Sequence, residues 1–184
     1  MKPIPPRPDI KIVSMVTKAD LCQRLDLENI STRLPGSSYN PKRFSGLFFY
    51  FMNPRITFVV FNSGKVTGYG GQTLKGVRRK FSKLMLDLEG VGIAGTEIKL
   101  PEITMLVGSA QTQVEFDLEK LSRKIPRIMY EPEQFPSLMW HFSEREVVLI
   151  FATGTIVVTG SKTVERLNQV YDEVLAILRS NALA

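Results

Sequence analysis

The sequence predicts an α+β fold in which an antiparallel sheet with its helices is built twice, from two tandem repeats. Three observations carry this. First, Ser38-Tyr39-Asn40-Pro41-Lys42-Arg43-Phe44, followed by Phe61-Asn62-Ser63-Gly64-Lys65-Val66, returns as Met129-Tyr130-Glu131-Pro132-Glu133-Gln134-Phe135, followed by Phe151-Ala152-Thr153-Gly154-Thr155-Ile156. Tyr39 and Tyr130, like Phe44 and Phe135, are 91 positions apart, whereas Phe61 and Phe151, like Gly70 and Gly160, are 90 apart. A repeat of that period is a supersecondary unit used twice, which makes a pseudo-twofold body. Second, each copy segregates a strand meander from its helices, as α+β domains do. Third, Phe58-Val59-Val60-Phe61, Leu47-Phe48-Phe49-Tyr50-Phe51, Val147-Val148-Leu149-Ile150-Phe151 and Ile156-Val157-Val158 are apolar at both parities. A strand covered by helices on one side alone would alternate with polar residues, so the second face is expected to meet something other than water.

Residues 1–8 read as a proline-rich N-terminal extension, 9–97 as the first repeat and 98–184 as the second. In the first, Ile10–Val16 reads as a strand. Leu21, Leu25 and Ile30, with Leu27 and Leu34, are spaced as on a helix between Asp20 and Leu34 that ends before Pro35. A turn at Asn40-Pro41 leads into strands Phe44–Met52, Arg55–Asn62 and Lys65–Tyr69, joined at Asn53-Pro54 and Ser63-Gly64 by lengths that suit tight hairpins. Leu74, Val77, Phe81, Leu84, Met85 and Leu88 then recur at three and four, one apolar helical stripe. Lys75, Arg79 and Lys83 lie on another face at i, i+4, i+8, a basic ridge. The second copy repeats the plan: strand Thr104–Thr112, helix Asp117–Lys124, then Pro126–Tyr130, a Glu131-Pro132 turn, strands Ser137–Phe142, Val147–Phe151 and Ile156–Gly160. A last helix rests on Val164, Leu167, Val170, Tyr171, Val174 and Leu178. The drop in offset from 91 to 90 makes this meander one residue shorter.

Composition narrows the function classes. The 184 residues, 43% hydrophobic and 23% charged, are an ordinary globular mixture able to bury a core. Cys22 is the one cysteine, so neither a disulfide framework nor a cysteine zinc site is available, and a reducing compartment is the natural reading. Prolines at 3, 5, 6 and 8 stand where a signal peptide would need an apolar run. The longest charge-free apolar stretch, Val147 to Val158, is interrupted by Gly154 and is shorter than the roughly 20 residues of a bilayer-spanning helix. These features point to a soluble intracellular protein. The net charge of +6 suits a polyanionic partner. It is unevenly spread: residues 1–97 hold 15 Lys+Arg against 7 Asp+Glu, and residues 98–184 hold 9 against 11.

Catalytic readings fail on inspection. Gly68-Tyr69-Gly70-Gly71 precedes a helix as a dinucleotide loop would, but position 73 is Thr where a third glycine is needed, and Gly64-Lys65-Val66 lacks the Walker hydroxyl. Glu131 and Glu133 flank Pro132 on a turn, a solvated loop rather than a catalytic pair. His141, the single histidine, has a strand position beside Trp140 and reads as packed or face-lining. No nucleophile, base and orienter come together. No enzyme activity, cofactor or metal site is expected.

Tyr39-Asn40-Pro41-Lys42-Arg43-Phe44, the Phe61-Asn62-Ser63-Gly64-Lys65 turn, Tyr130-Glu131-Pro132-Glu133 with Phe135-Pro136, and Val157-Val158-Thr159-Gly160 resemble the TATA-binding protein family, in order and in both repeats, from about Asp9 to about Leu178. The resemblance implies a saddle: a curved ten-stranded antiparallel sheet, four helices on its convex side, and a concave face that lies in a DNA minor groove. Apolar side chains suit that groove, and aromatic wedges unstack base steps and kink the duplex, a mode for which this family is a standard example. The wedges fall on Phe44 and Phe61, and on Phe135 and Phe151. The match also puts Val13, Val59 and Thr67, with Val107, Leu149, Val157 and Thr159, on the groove face. It leaves Arg43 and Lys65 within reach of phosphates.

The departures from the family pattern carry information too. Members usually place an asparagine in the first strand of each repeat that hydrogen-bonds base edges, and here Lys11 and Met105 take those positions. Tyr69 stands where the symmetric Thr159 predicts a small residue. Losing an amide pair weakens a minor-groove readout that is already degenerate, so sequence preference is expected to relax and to rest more on deformability. As for partners, the resemblance implies A·T-rich double-stranded promoter DNA. It also implies transcription factor IIB at the acidic loop of Glu131 and Glu133, and factor IIA or regulators around Lys75, Arg79 and Lys83. The expected function is a nuclear basal initiation factor that bends DNA and nucleates the preinitiation complex. The competing expectation is an adaptor of the same fold that binds proteins or a second copy of itself through the concave face.

Overall fold

The computed structural model describes residues 7–93 and 97–182; positions 1–6 of the proline-rich extension lie outside them. The chain divides into two compact units, one formed by the described residues of 14–104 and the other by 7–13 with 105–182.

The first unit holds most of β1 (Lys11–Asp20), then α1 (Leu27–Arg33), β2 (Ser37–Asn40), β3 (Phe44–Phe51), β4 (Ile56–Phe61), β5 (Lys65–Gly70) and α2 (Leu74–Glu89). Its strands run β2-β3-β4-β5-β1, every neighbour antiparallel. Leu47, Phe49 and Phe51 alternate inward on β3, as do Ile56, Phe58 and Val60 on β4. The Phe58 ring meets Phe81 of α2 edge-on at 5.8 Å. The apolar stripe of α2 is buried at Val77, Phe81, Leu84, Met85 and Leu88, as its spacing predicts. Thr73, the residue that spoils the glycine fingerprint, is the N-cap of α2, its hydroxyl accepting from Gly76 N at 3.1 Å.

The region from Asp20 to Leu34 departs from expectation. β1 continues to Asp20, and the helix does not begin until Leu27, capped by Asp26. The cause is hydrogen bonding: Leu21 N donates to Gly64 O and Leu25 N to Asn62 O, both at 2.9 Å. Amides committed to the β4–β5 hairpin cannot serve a helix. Leu21 and Leu25 are buried by that docking, so their helical spacing has another origin.

The second unit contains β6 (Lys99–Gln111, from residue 105 on), α3 (Leu118–Lys124), β7 (Ile128–Met129), β8 (Ser137–His141), β9 (Val147–Phe151), β10 (Thr155–Thr159) and α4 (Val164–Ala182). Its order is β6-β10-β9-β8-β7, again antiparallel. Leu138, Trp140, Val148, Ile150, Ile156 and Val158 close on Leu167, Val170, Tyr171, Val174 and Leu178, and Ile10 and Ile12 pack on the same core. That packing is why residues 7–13 group with the second repeat. Thr112 N donates to Gly154 O and Phe116 N to Ala152 O, the hairpin docking of the first unit repeated.

Candidate nucleic-acid interface

In each unit the strand positions opposite to the core make an open face. In the first, Phe48 pairs with Val59 and Val59 with Thr67, while Tyr50 pairs with Thr57 and Thr57 with Tyr69. In the second, Met139, Leu149 and Val157 form one cross-strand row, and His141, Val147, Thr159 and Val107 the next. This register follows from the hairpins, since a slip of one residue would turn these side chains into the core.

The four expected wedge residues form two matched pairs. Phe44 and Phe61 meet edge to face with ring centroids 6.0 Å apart at 61°; Phe135 and Phe151 repeat this at 6.2 Å and 62°. Phe44 is 45% exposed and Phe135 42%, and their partners are half-buried. Local geometry sets them. Arg43 N closes a turn onto Asn40 O just before Phe44, and Phe135 N reaches Glu131 O across the corresponding turn. Phe61 and Phe151 end β4 and β9, beside the docked hairpins.

The remaining expected residues are placed as follows. Lys11 and Val13 are exposed on β1 and Tyr69 is exposed on β5, while Thr67, Met105, Val107, Leu149, Val157 and Thr159 are half-buried on the open faces. The Thr159 hydroxyl donates to Met105 Sδ at 3.6 Å. Val59 has the open-face register but is only 3% exposed, because a side chain is missing at Gly46 and the Phe44 ring and Val59 methyl fill that space. The accessible surface of that row passes to Phe48, which lies 5.3 Å from Phe44. Arg43 and Lys65 are exposed; so are Glu131 and Glu133 on their turn. Lys75 and Arg79 are solvated on α2, whereas Lys83 pairs with Asp87 at 3.4 Å.

A groove of 890 Å³ opens beside Phe61, and Lys18, Lys65, Arg78 and Lys99 line it together with Asp20 and Glu102. Its cations lie next to one wedge pair, an arrangement that suits a polyanion with stackable parts. Neither this groove nor the stacked pair of half-buried Phe48 and exposed Tyr50 is legible in the sequence, since both depend on strand register. The strongly perturbed titratable groups lie off the open faces: burial in the second core raises Tyr171 to about 12.

Together these features define a tandem-repeat protein of two sheet-and-helix units, each with an apolar, aromatic-edged open face. Residues 9–90 and 100–181 match the family described as transcription factor TFIID (or TATA-binding protein, TBP). The chain is 36% identical over 175 residues to the TATA-box-binding protein of Aeropyrum pernix, covering 95% of this chain and 85% of that one. It is 34% identical over 155 residues to that of Pyrococcus horikoshii, 84% and 81% of the two chains. The solved structure of Methanococcus jannaschii TBP matches with a TM-score of 0.81 at 28% identity, over 94% of this chain and 99% of that one. The chain belongs to the TATA-binding protein family, a family of DNA-binding transcription initiation factors.

Proposed function

We propose that this protein is a basal initiation factor that lays the open faces of its repeats in the minor groove of duplex DNA, bends the duplex and nucleates a preinitiation complex. The observation that carries this is the pair of phenylalanine pairs, alike to 0.2 Å and 1°, each at the rim of an apolar open face. Rings half in solvent at matched points can enter base steps with little rearrangement, and the bend lets more protein surface reach the groove. Lys11, Val13, Thr67, Tyr69, Met105, Val107, Leu149, Val157 and Thr159 then line the groove, with Arg43 and Lys65 at phosphates. Glu131 and Glu133 are the contact for a factor of the IIB type, and Lys75 and Arg79 for one of the IIA type. The protein works where chromosomal DNA lies, in the nucleus where the host has one; the relatives named above are archaeal.

Duplexes carrying a fluorophore at each end test this. The protein is expected to raise energy transfer between the ends of an A·T-rich duplex, and the double variant Phe135→Ala, Phe151→Ala to lose most of it. Binding without bending, untouched by the double variant, would refute the proposal. A stable dimer that DNA does not dissociate would favour the adaptor role instead.

A further inference from the structure

Tyr50 and Tyr69 stand on either side of Thr57, each in direct cross-strand register with it, so the open face of the first repeat carries a row of three hydroxyls. The two tyrosines are 58% and 50% exposed, and neither hydroxyl has a hydrogen-bond partner among the described residues. Tyr50 is held in place: Phe48 stacks on it at 6.2 Å with the planes 9° apart, and Phe44 leans on Phe48. The second repeat differs at each matching point. Its row reads His141, Val147, Thr159, and the Thr159 hydroxyl is already directed at Met105 Sδ. The neighbouring positions, Met139, Leu149 and Val157, are apolar.

Base-pair chemistry gives this asymmetry a consequence. The minor-groove edge of an A·T pair offers acceptors only, whereas a G·C pair adds the guanine N2 amino donor. Pressed against Val147, which stands where the first repeat has Thr57, and beside a Thr159 hydroxyl directed at Met105 Sδ, that amino group would lose its water and gain no partner, which is costly. A tyrosine hydroxyl both donates and accepts, so it can answer either edge. Resting on the minor-groove role proposed above, we infer that Tyr50 and Tyr69 make the half of the DNA site under the first repeat tolerant of G·C pairs, while the half under the second repeat stays restricted to A·T. The site is then read as two unlike halves by two repeats built on one plan.

The test uses three duplexes: one all A·T across the site, one with two G·C pairs in one half, and one with them in the other. Fluorescence anisotropy gives the affinities, and a metal-chelate cleavage reagent on Cys22, exposed and in the first repeat, reports which half that repeat covers. The expected result is an affinity loss of no more than about threefold when G·C lies under the first repeat and of about tenfold or more when it lies under the second. In the double variant Tyr50→Phe, Tyr69→Phe, the ratio of G·C-half to all-A·T affinity under the first repeat is expected to fall about tenfold. Equal penalties in both halves, or a ratio unchanged by the phenylalanines, would overturn the inference while leaving the minor-groove role intact. Failure to bind even the all-A·T duplex would overturn both.

Discussion

Phe135 and Phe151 come from opposite sides of one hairpin in the second repeat and meet edge to face at 6.2 Å, with Phe135 42% exposed. Such a pair adds about 0.5–1.5 kcal/mol to the fold, a small part of what holds the second core together. Its absence should therefore leave the protein folded and show itself in DNA binding. Phe135→Ala is expected to lower the melting temperature by only a few degrees and to weaken A·T-rich duplex binding by about 1–3 kcal/mol, the worth of one aromatic stacked on a base. Calorimetry and anisotropy on the same sample separate the two. A variant that unfolds but still binds when stabilised would make Phe135 a core residue.

Gly64 and Gly154 hold the wedge-bearing hairpins against the rest of each repeat. Both have positive φ, +83° and +87°, and a Cβ on either would strike a backbone carbonyl, Gln23 O in one case and Val114 O in the other. Gly36 shares the positive φ, +96°, with nothing within 4 Å of its would-be Cβ. The three separate backbone strain from collision. Gly36→Ala is expected to cost about 1 kcal/mol, and Gly64→Ala or Gly154→Ala about 3 kcal/mol or more. Chemical denaturation would check the order. Equal costs at all three would mean that the hairpins yield to the added methyl.

Whatever rests on local periodicity was legible in the sequence. The α2 stripe from Leu74 to Leu88 is a 3.6-residue pattern within a helix of sixteen residues, and the meander strands have turn residues at their ends. Two apolar residues four apart, Leu21 and Leu25, carry the same signal without being helical, because a hairpin forty positions away takes their amides. β2, four residues long, is too short to leave a pattern, and β7 is two residues inside the Pro126–Tyr130 segment. At the candidate interface the repeat marks out the two matched phenylalanine pairs, while their expected role as wedges comes from the family resemblance. The covering of Val59 and the Tyr50–Thr57–Tyr69 row could not, since each needs three strands in register.

Arg43 and Lys65 are exposed and belong to no ion pair among the described residues, so their charge is available to a polyanion. Each cation that neutralises a phosphate releases condensed counterions, which contributes about −0.9 to the slope of log K against log salt. Arg43→Gln and Lys65→Gln should each flatten the slope by about that amount, and to the same extent for every duplex sequence. Lys124→Gln, whose ammonium is turned to Asn181 O on the helical side of the second repeat, should leave the slope alone. Slopes unchanged by the first two variants would remove both residues from the phosphate contact.

The loop joining β8 to β9 is tied to α4 by an ion pair. Arg166 Nε donates to Glu146 Oε1 at 3.0 Å and its Nη2 to Oε2 at 3.3 Å, while the Ser143 hydroxyl donates to Oε2 as well. The Arg166 hydrogen bond, followed by that of Ser143, holds the Glu146 carboxyl below its ordinary value of 4.5 against the opposing effect of burial. A carboxylate whose pKa is depressed by folding adds stability above its unfolded value, and that stability drains away as pH falls below about 4.5 towards the folded value. Because the Arg166 side chain is 36% exposed, solvent screens part of the interaction, and Arg166→Gln is expected to lower the melting temperature modestly at neutral pH. The difference from the native protein should shrink on acidification, as Glu146 becomes protonated in both. A gap that stayed constant down to the acid limb would show that Arg166 acts through its packing on α4 and not through the charge of Glu146.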